Sequence, residues 1–312
     1  HPHTHTPPPT KKKNTPPPPP PPPPGGGGPP QGKGDEISFS LFLLKIFAMQ
    51  FKGQILKMSS VLGNPIQYYL NLSGDLISMN QLFGKNFNIK HVGYQCVECG
   101  KDEKIYRMGF CKKCFFESPY ASDTILKPEL STAHLGIEER DLEIEKEIQL
   151  QPHIVYLAYT GDVKVGVTRE SQVPTRWIDQ GATFALPIAK TENRYEAGMI
   201  EVELKKHIAD KTNWRKMLQD DRESDVDLLD FRNQIAELFP KDFKNFAIDG
   251  QEMVRLDFPY EAPAKINSFT LDSKPEFEGV LKGIKGQYLY FNEGDFINVR
   301  SHEGYVIELD IQ

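Results

Sequence analysis

The sequence predicts an α+β protein, and three observations carry that expectation. Four cysteines fall in two close pairs, which suits a metal-stapled module better than a disulfide scaffold. A hairpin with one alternating valine face is followed by amphipathic helical stretches in the middle of the chain. The C-terminal stretch is a series of short β-like runs divided by glycine-containing turns. The 312 residues are 38% hydrophobic and 26% charged, enough for one to three domains. Mean hydropathy is −0.48, and no apolar run approaches the ~18–20 residues a transmembrane helix needs, so a membrane role is not expected.

Along the chain, residues 1–48 stand apart. They hold an unbroken proline run from Pro16 to Pro24 and then Gly25 to Gly28, with almost nothing apolar to offset ordering entropy. The segment reads as a disordered, non-native extension, with Met49 a plausible start. The apolar Ser38–Met49 stretch lacks the flanks of a signal peptide, and a cytoplasmic location is the expectation. Residues 1–48 carry five Lys and two acids, which leaves 49–312 with 32 basic and 41 acidic side chains, net −9. Indiscriminate coating of duplex DNA is driven by counterion release to a basic surface, so any nucleic-acid contact here must use a local patch.

Residues 49–92 alternate β-like runs with turns (Phe51–Met58, then Gln67–Leu72) and form an N-terminal β segment. Residues 93–135 hold the cysteine module and a connector, and 138–149 are a polar connector or exposed helix. The α/β region spans 150–240, with a final helical stretch from Asp225 to Phe239 that stops at Pro240. Residues 270–312 form a C-terminal β domain. The resemblance of FKGQILKM near the start to FEGVLKGI near the end predicts that both ends share one small β-barrel.

Cys96-x2-Cys99 and Cys111-x2-Cys114 form two knuckles separated by eleven residues. Each knuckle brings two thiolates to one ion, and four sulfurs complete a tetrahedral zinc shell with no open position, so a structural zinc ribbon is expected.

In Val163-Lys164-Val165-Gly166-Val167-Thr168, odd positions are Val and even ones are not, the mark of a strand with one aliphatic face. For Val155 and Leu157 to share that face, Leu157 must pair with Val165. This requires an odd loop such as Thr160-Gly161-Asp162 and puts Tyr156 and Lys164 on the other face. Pro174-Thr175 opens a short helix bearing Arg176 and Gln180 on one side, ended by Gly181. A longer helix is predicted from Asn193 to Ala209, with Ala197, Leu204 and Ile208 as its apolar stripe. Glu201 falls inside that stripe, and a carboxylate there needs a cation or strong donors.

These residues carry a resemblance. Tyr156 in VYL, Lys164-Val165-Gly166 in KVGVT, Arg176 on the first helix and Glu201 on the second resemble the GIY-YIG nuclease superfamily, in its branch with a K-[IV]-G element. The region 94–218, with QPHIVYLA, KVGVT, PTRWIDQGA and HIADKTNWR, also resembles an uncharacterised bacterial domain-of-unknown-function family in which a zinc ribbon precedes a GIY-YIG-like domain. The resemblance implies a metal-dependent phosphodiesterase acting on DNA or RNA. It implies Tyr156 as base or orienting group, Lys164 in the second-tyrosine position, Arg176 for charge stabilisation and Glu201 as ligand of a catalytic Mg2+. Gln180 stands where such nucleases carry His or Tyr, and an amide is no proton shuttle. The competing expectation is a non-catalytic, zinc-stabilised module that binds nucleic acid or protein through a decayed nuclease site. Lys205, Lys206, Lys211, Arg215 and Lys216 are where help with a phosphate backbone is expected. His134, His153 and His207 are assigned no chemistry.

Overall fold

The computed structural model describes residues 49–208, 213–219 and 226–312, so the expectation for residues 1–48 lies outside the described residues. Within them the protein is a mixed α+β chain. Strands from both ends meet in one sheet. β1 (Met49–Val61), β2 (Gln67–Leu72), β3 (Asp75–Ser78) and β4 (Asn86–Tyr94) come from the N-terminal part. β5 (Ile105–Arg107) and β6 (Phe110–Cys111) form a separate hairpin, and β7 (His153–Tyr159), β8 (Val163–Arg169), β9 (Phe184–Thr191) and β10 (Val254–Arg255) a separate sheet. β11 (Asn267–Ser268), β12 (Glu276–Lys285), β13 (Tyr288–Phe291), β14 (Asp295–Asn298) and β15 (Tyr305–Ile311) complete the chain.

Among the described residues, nine strands follow the order β11-β14-β13-β12-β4-β15-β1-β2-β3. The sheet curls far enough that Ile55, Leu70, Phe87, Leu289, Ile297 and Leu309 line one apolar interior. Its alternation is direct: in β15 every second residue from Tyr305 is buried, as period two requires of a sheet with one covered face.

The order is also palindromic. β1, β2, β3 and β4 have counterparts in β12, β13, β14 and β15, and the central pair β4 and β15 is antiparallel, with Ile89 facing its own counterpart Leu309. Local details repeat as well. Ser73 and Asn292 both adopt left-handed backbone, at φ 51 and 52. Ser73 Oγ accepts from the Gln54 N–H at 2.6 Å, and Asn292 Oδ1 accepts from the Val280 N–H at 3.0 Å. Gly84 and Gly304 close equivalent turns, at φ 82 and 86, donating to the carbonyls of Leu281 and Ile55. The faint likeness of FKGQILKM and FEGVLKGI is therefore one part of a two-fold repeated β unit.

The α/β unit is inserted between the halves. Its sheet runs β10-β9-β7-β8, so β8 is an edge. Leu157 pairs with Val165 and Tyr156 with Gly166, across the three-residue loop 160–162. The helices are α1 (Lys112–Glu117), α2 (Asp123–Leu126), α3 (Leu142–Gln149), α4 (Thr175–Asp179), α5 (Arg194–Leu204), α6 (Trp214–Gln219) and α7 (Leu228–Ile235). Val155, Leu157 and Val165 pack with Ala197, Ile200 and Leu204 of α5 on one side of the sheet. Ile154, Tyr156 and Ala158 pack with Trp177 and Ile178 of α4 on the other, in one core with the nine-stranded sheet.

Two elements differ from expectation. The helix expected to reach Ala209 ends at Leu204, because the N–H groups of Lys206 and His207 turn to the carbonyls of Glu203 and Leu204 and tighten the chain into a 3-10 turn. β9 carries no alternation to announce it: it is buried along almost its whole length and contains Pro187, seated where the β7–β9 register shifts.

Candidate functional site

The four cysteines converge by local geometry. Cys111 ends β6, and α1 starts at the next residue, so Cys114 follows within the first helical turn. The Cys96–Cys99 turn is closed by Gly100, at φ 67, whose N–H donates to the Cys96 carbonyl at 2.9 Å. The four Sγ atoms all lie within 4.8 Å of one another. Cys99 and Cys111 Sγ are 4.0 Å apart. Thiolates ~2.3 Å from a shared tetrahedral ion would stand about 3.8 Å apart. The Cys111 N–H donates to Cys96 Sγ at 3.2 Å. Burial raises the Cys96 thiol, but the N–H groups of Cys111, Cys99 and Glu98 outweigh it and bring its pKa down to about 7. Cys114 is pushed up by burial and by the three other thiols. Such a donor set could hold a metal ion such as zinc, with no coordination position left for a substrate.

A second constellation surrounds Tyr156. Its side chain is fully buried and lies across Gly166, its partner on β8: a Cβ at Gly166 would stand 2.7 Å from the phenol oxygen. That oxygen accepts from Gln180 Nε2 at 2.7 Å, and the Arg176 guanidinium on the same helix lies near enough for its charge to act on it. One turn of α4 delivers both partners, as their i, i+4 spacing requires. Burial raises the phenol pKa, with Arg176 and Gln180 pulling against it. The group is thus a neutral phenol at pH 7, whose oxygen accepts from Gln180 and whose own O–H remains to donate. Lys164 is buried on the same strand face, opposite Ala158.

Glu201 is placed differently. It is buried in the α5 stripe beside Ala197 and Leu204, and its charge acts on both Arg194 and the Tyr156 phenol. Its Oε2 lies 3.3 Å from Lys205 Nζ, and Arg194 and Glu129 are its further charged neighbours. Burial raises its pKa, against the pull of Lys205 and Arg194. A Mg2+ ion keeps several waters and needs an open seat. A carboxylate 6% exposed and already facing an ammonium does not offer one, so the residues present do not fit a catalytic Mg2+ at this position.

Arg176 also lines a cleft of about 430 Å3. One wall is the α/β unit, with Thr168 and Arg169 at the end of β8, Arg176 on α4 and Arg194 at the start of α5. The other wall is the nine-stranded sheet, through Lys57, Gln287, Tyr288, Asn298 and Arg300. Five cations and one carboxylate, Asp179, line it, although residues 49–312 are net acidic. Among the described residues, Arg169 and Arg176 have no carboxylate within ion-pair distance. Arg194 is anchored by donating from Nε and Nη2 to the carbonyls of Thr124 and Ile125. Burial lowers its pKa to about 10; Glu201 pulls against this, while Arg176 and Arg169 push in the same direction as burial.

Sequence reasoning missed Lys57, Arg169, Arg194 and Arg300, which come from four separate segments and share no local motif. The lysine cluster it favoured is largely paired: Lys205 with Glu201, Lys206 with Glu203 and Lys216 with Asp162, while Arg215 lies over the Trp214 ring. Lys211 lies outside the described residues.

Fold and site together define a mixed α+β protein with a four-cysteine centre and a separate arginine-lined cleft. A family model described as "Protein of unknown function (DUF2797)" matches residues 84–307, and the chain belongs to that family. No curated protein and no solved structure matches it. No helix among the described residues is long and apolar enough to cross a membrane.

Proposed function

We propose that the chain binds the phosphodiester backbone of nucleic acid at a GIY-YIG-like centre, beside a zinc ribbon whose ion sits among Cys96, Cys99, Cys111 and Cys114. The observation that carries the reading is the cleft lined by Arg169, Arg176 and Arg194, of which Arg169 and Arg176 have no carboxylate partner among the described residues, next to the Tyr156–Gln180 pair. Charge-assisted N–H donors are what a phosphate oxygen needs, and the buried phenol steadies the helix that presents Arg176. The zinc saturates its four thiolates and supports the fold beside the cleft.

A second reading, hydrolysis of the bound phosphodiester, is favoured by the nearness of Arg176 to the Tyr156 phenol alone. The guanidinium would stabilise the charge that grows on the phosphorus oxygens, and the phenol would orient the attacking group. One experiment separates the two. Labelled single-stranded and duplex oligonucleotides are incubated with the protein, with Arg176→Ala and with Glu201→Gln, and binding and cleavage are measured together. The binding reading expects retention of the strand without cleavage, and roughly ten-fold weaker binding by Arg176→Ala. Divalent-dependent cleavage lost in both variants would instead establish the hydrolase. Affinity unchanged by Arg176→Ala would remove the centre from both readings.

A further inference from the structure

We propose that the nine-stranded sheet is the second wall of a grip for a single nucleic-acid strand, in which Lys57 and Arg300 take phosphates of the same strand that Arg169 and Arg176 hold from the opposite side. The inference rests on the phosphodiester reading and adds the class of nucleic acid and the residues that select it.

The first support is rigidity. Asp179, at the end of the helix that carries Arg176, pairs with Lys57 of β1 and accepts from Gln287 Nε2 at 2.9 Å, with its side chain only 7% exposed. Gly286 passes so close that a Cβ there would stand 3.0 Å from the Asp179 carbonyl oxygen. The sheet is thus fixed against the very turn that presents the arginine. The second support is size. A space of about 430 Å3 is only about 9 Å across if equally wide in every direction. The major groove of a duplex alone is about 12 Å wide, so a whole duplex cannot enter, whereas one strand can. The third is an aromatic held at the wall. Tyr288 lines the cleft, stacked on Trp214 with ring centres 5.9 Å apart and planes 13° from parallel, and Arg215 lies 4.1 Å over the Trp214 ring. Unpaired bases stack on such rings, and duplex bases are not free to do so. Finally, the sheet-side cations keep their positions by pairing at the wall itself: Arg300 Nη1 donates to Glu303 Oε1 at 2.9 Å, and that carboxylate also accepts from the Lys57 N–H.

The test is fluorescence anisotropy of a short labelled single strand and of the matching duplex, with the zinc-loaded protein and no Mg2+ or Mn2+ added so that cleavage cannot intervene. The single strand is expected to bind roughly ten-fold tighter than the duplex at equal salt. Arg169→Ala and Arg300→Gln together should lower the slope of log affinity against log salt by about 1.4, since each phosphate contact on a single strand contributes about 0.7. Arg300→Gln keeps a donor for Glu303, Arg169→Lys should restore most of the affinity, and Lys90→Ala, on an exposed part of the sheet, should change nothing. Duplex binding as tight as single-strand binding, or an unchanged slope in the double variant with an unaltered thermal midpoint, overturns the grip and leaves the phosphodiester reading standing. Binding of neither polyanion overturns both.

Discussion

At the scale of single residues, the site depends on what is absent from position 166. Tyr156 can cross to the edge of the sheet only because β8 offers no side chain opposite it. Gly166→Ala should therefore cost about 1–3 kcal/mol through overpacking and tilt the phenol away from Gln180. A lowered thermal midpoint together with weakened oligonucleotide binding would report both effects. His153 makes a prediction in pH. It is fully buried, with Nδ1 bonded to the Gln151 carbonyl, and burial together with Arg194 and Arg169 holds its pKa down to about 4, below the ordinary 6.5. The unfolded chain takes up a proton below 6.5 that the folded one refuses until about 4, so stability falls as pH drops through that window. By pH 5 the loss from this one group is roughly 2 kcal/mol. Urea midpoints at pH 7.5 and 5.0 should differ less in His153→Gln than in the parent.

At the scale of elements, what was legible in the sequence is what local periodicity encodes. Alternating valines set the hairpin register, and Asn193 caps α5 by accepting from the Glu196 N–H at 3.0 Å. Pairs of cysteines two residues apart announced their module. β9 was illegible because a strand covered on both faces has no alternation and Pro187 argued against it. The partnership of Glu201 with Lys205 was hidden as well, since the spacing shows a shared helix face but not which charge turns inward. The cysteine module buries little beyond Phe110, Ala121 and the cysteines themselves, a small core that a metal ion held by the four thiolates would reinforce. Metal analysis should find one zinc per chain in this module. A strong chelator, or Cys111→Ser, should lower the midpoint of a local unfolding transition seen by hydrogen exchange over residues 95–121, while the β7–β9 sheet keeps its protection.

At the scale of the whole molecule, the decisive contacts join segments far apart in the chain, and no window of sequence displays them. Asp179 is the clearest case: it reads as an ordinary helix-end acid, yet it ties α4 to β1 and to Gln287. Removing one partner of a mostly buried ion pair strands the other, so Asp179→Ala should destabilise the protein by about 2–4 kcal/mol in urea unfolding. It should also loosen the cleft, with weaker strand binding at unchanged salt slope.

The palindromic strand order has a consequence of its own. The first strand meets the last, with Met49 opposite Ile311, while residues 95–275 leave at the end of β4 and return at the start of β12, beside it. The sheet is in effect a homodimer of half-sheets folded within one polypeptide, and the cysteine module and the α/β unit form the tether. Each half is presented to its twin at a fixed effective concentration set by that tether. Expressed alone, either half would bare the strand rim its twin now covers, and pairing with a second copy of itself is the symmetric way to cover it.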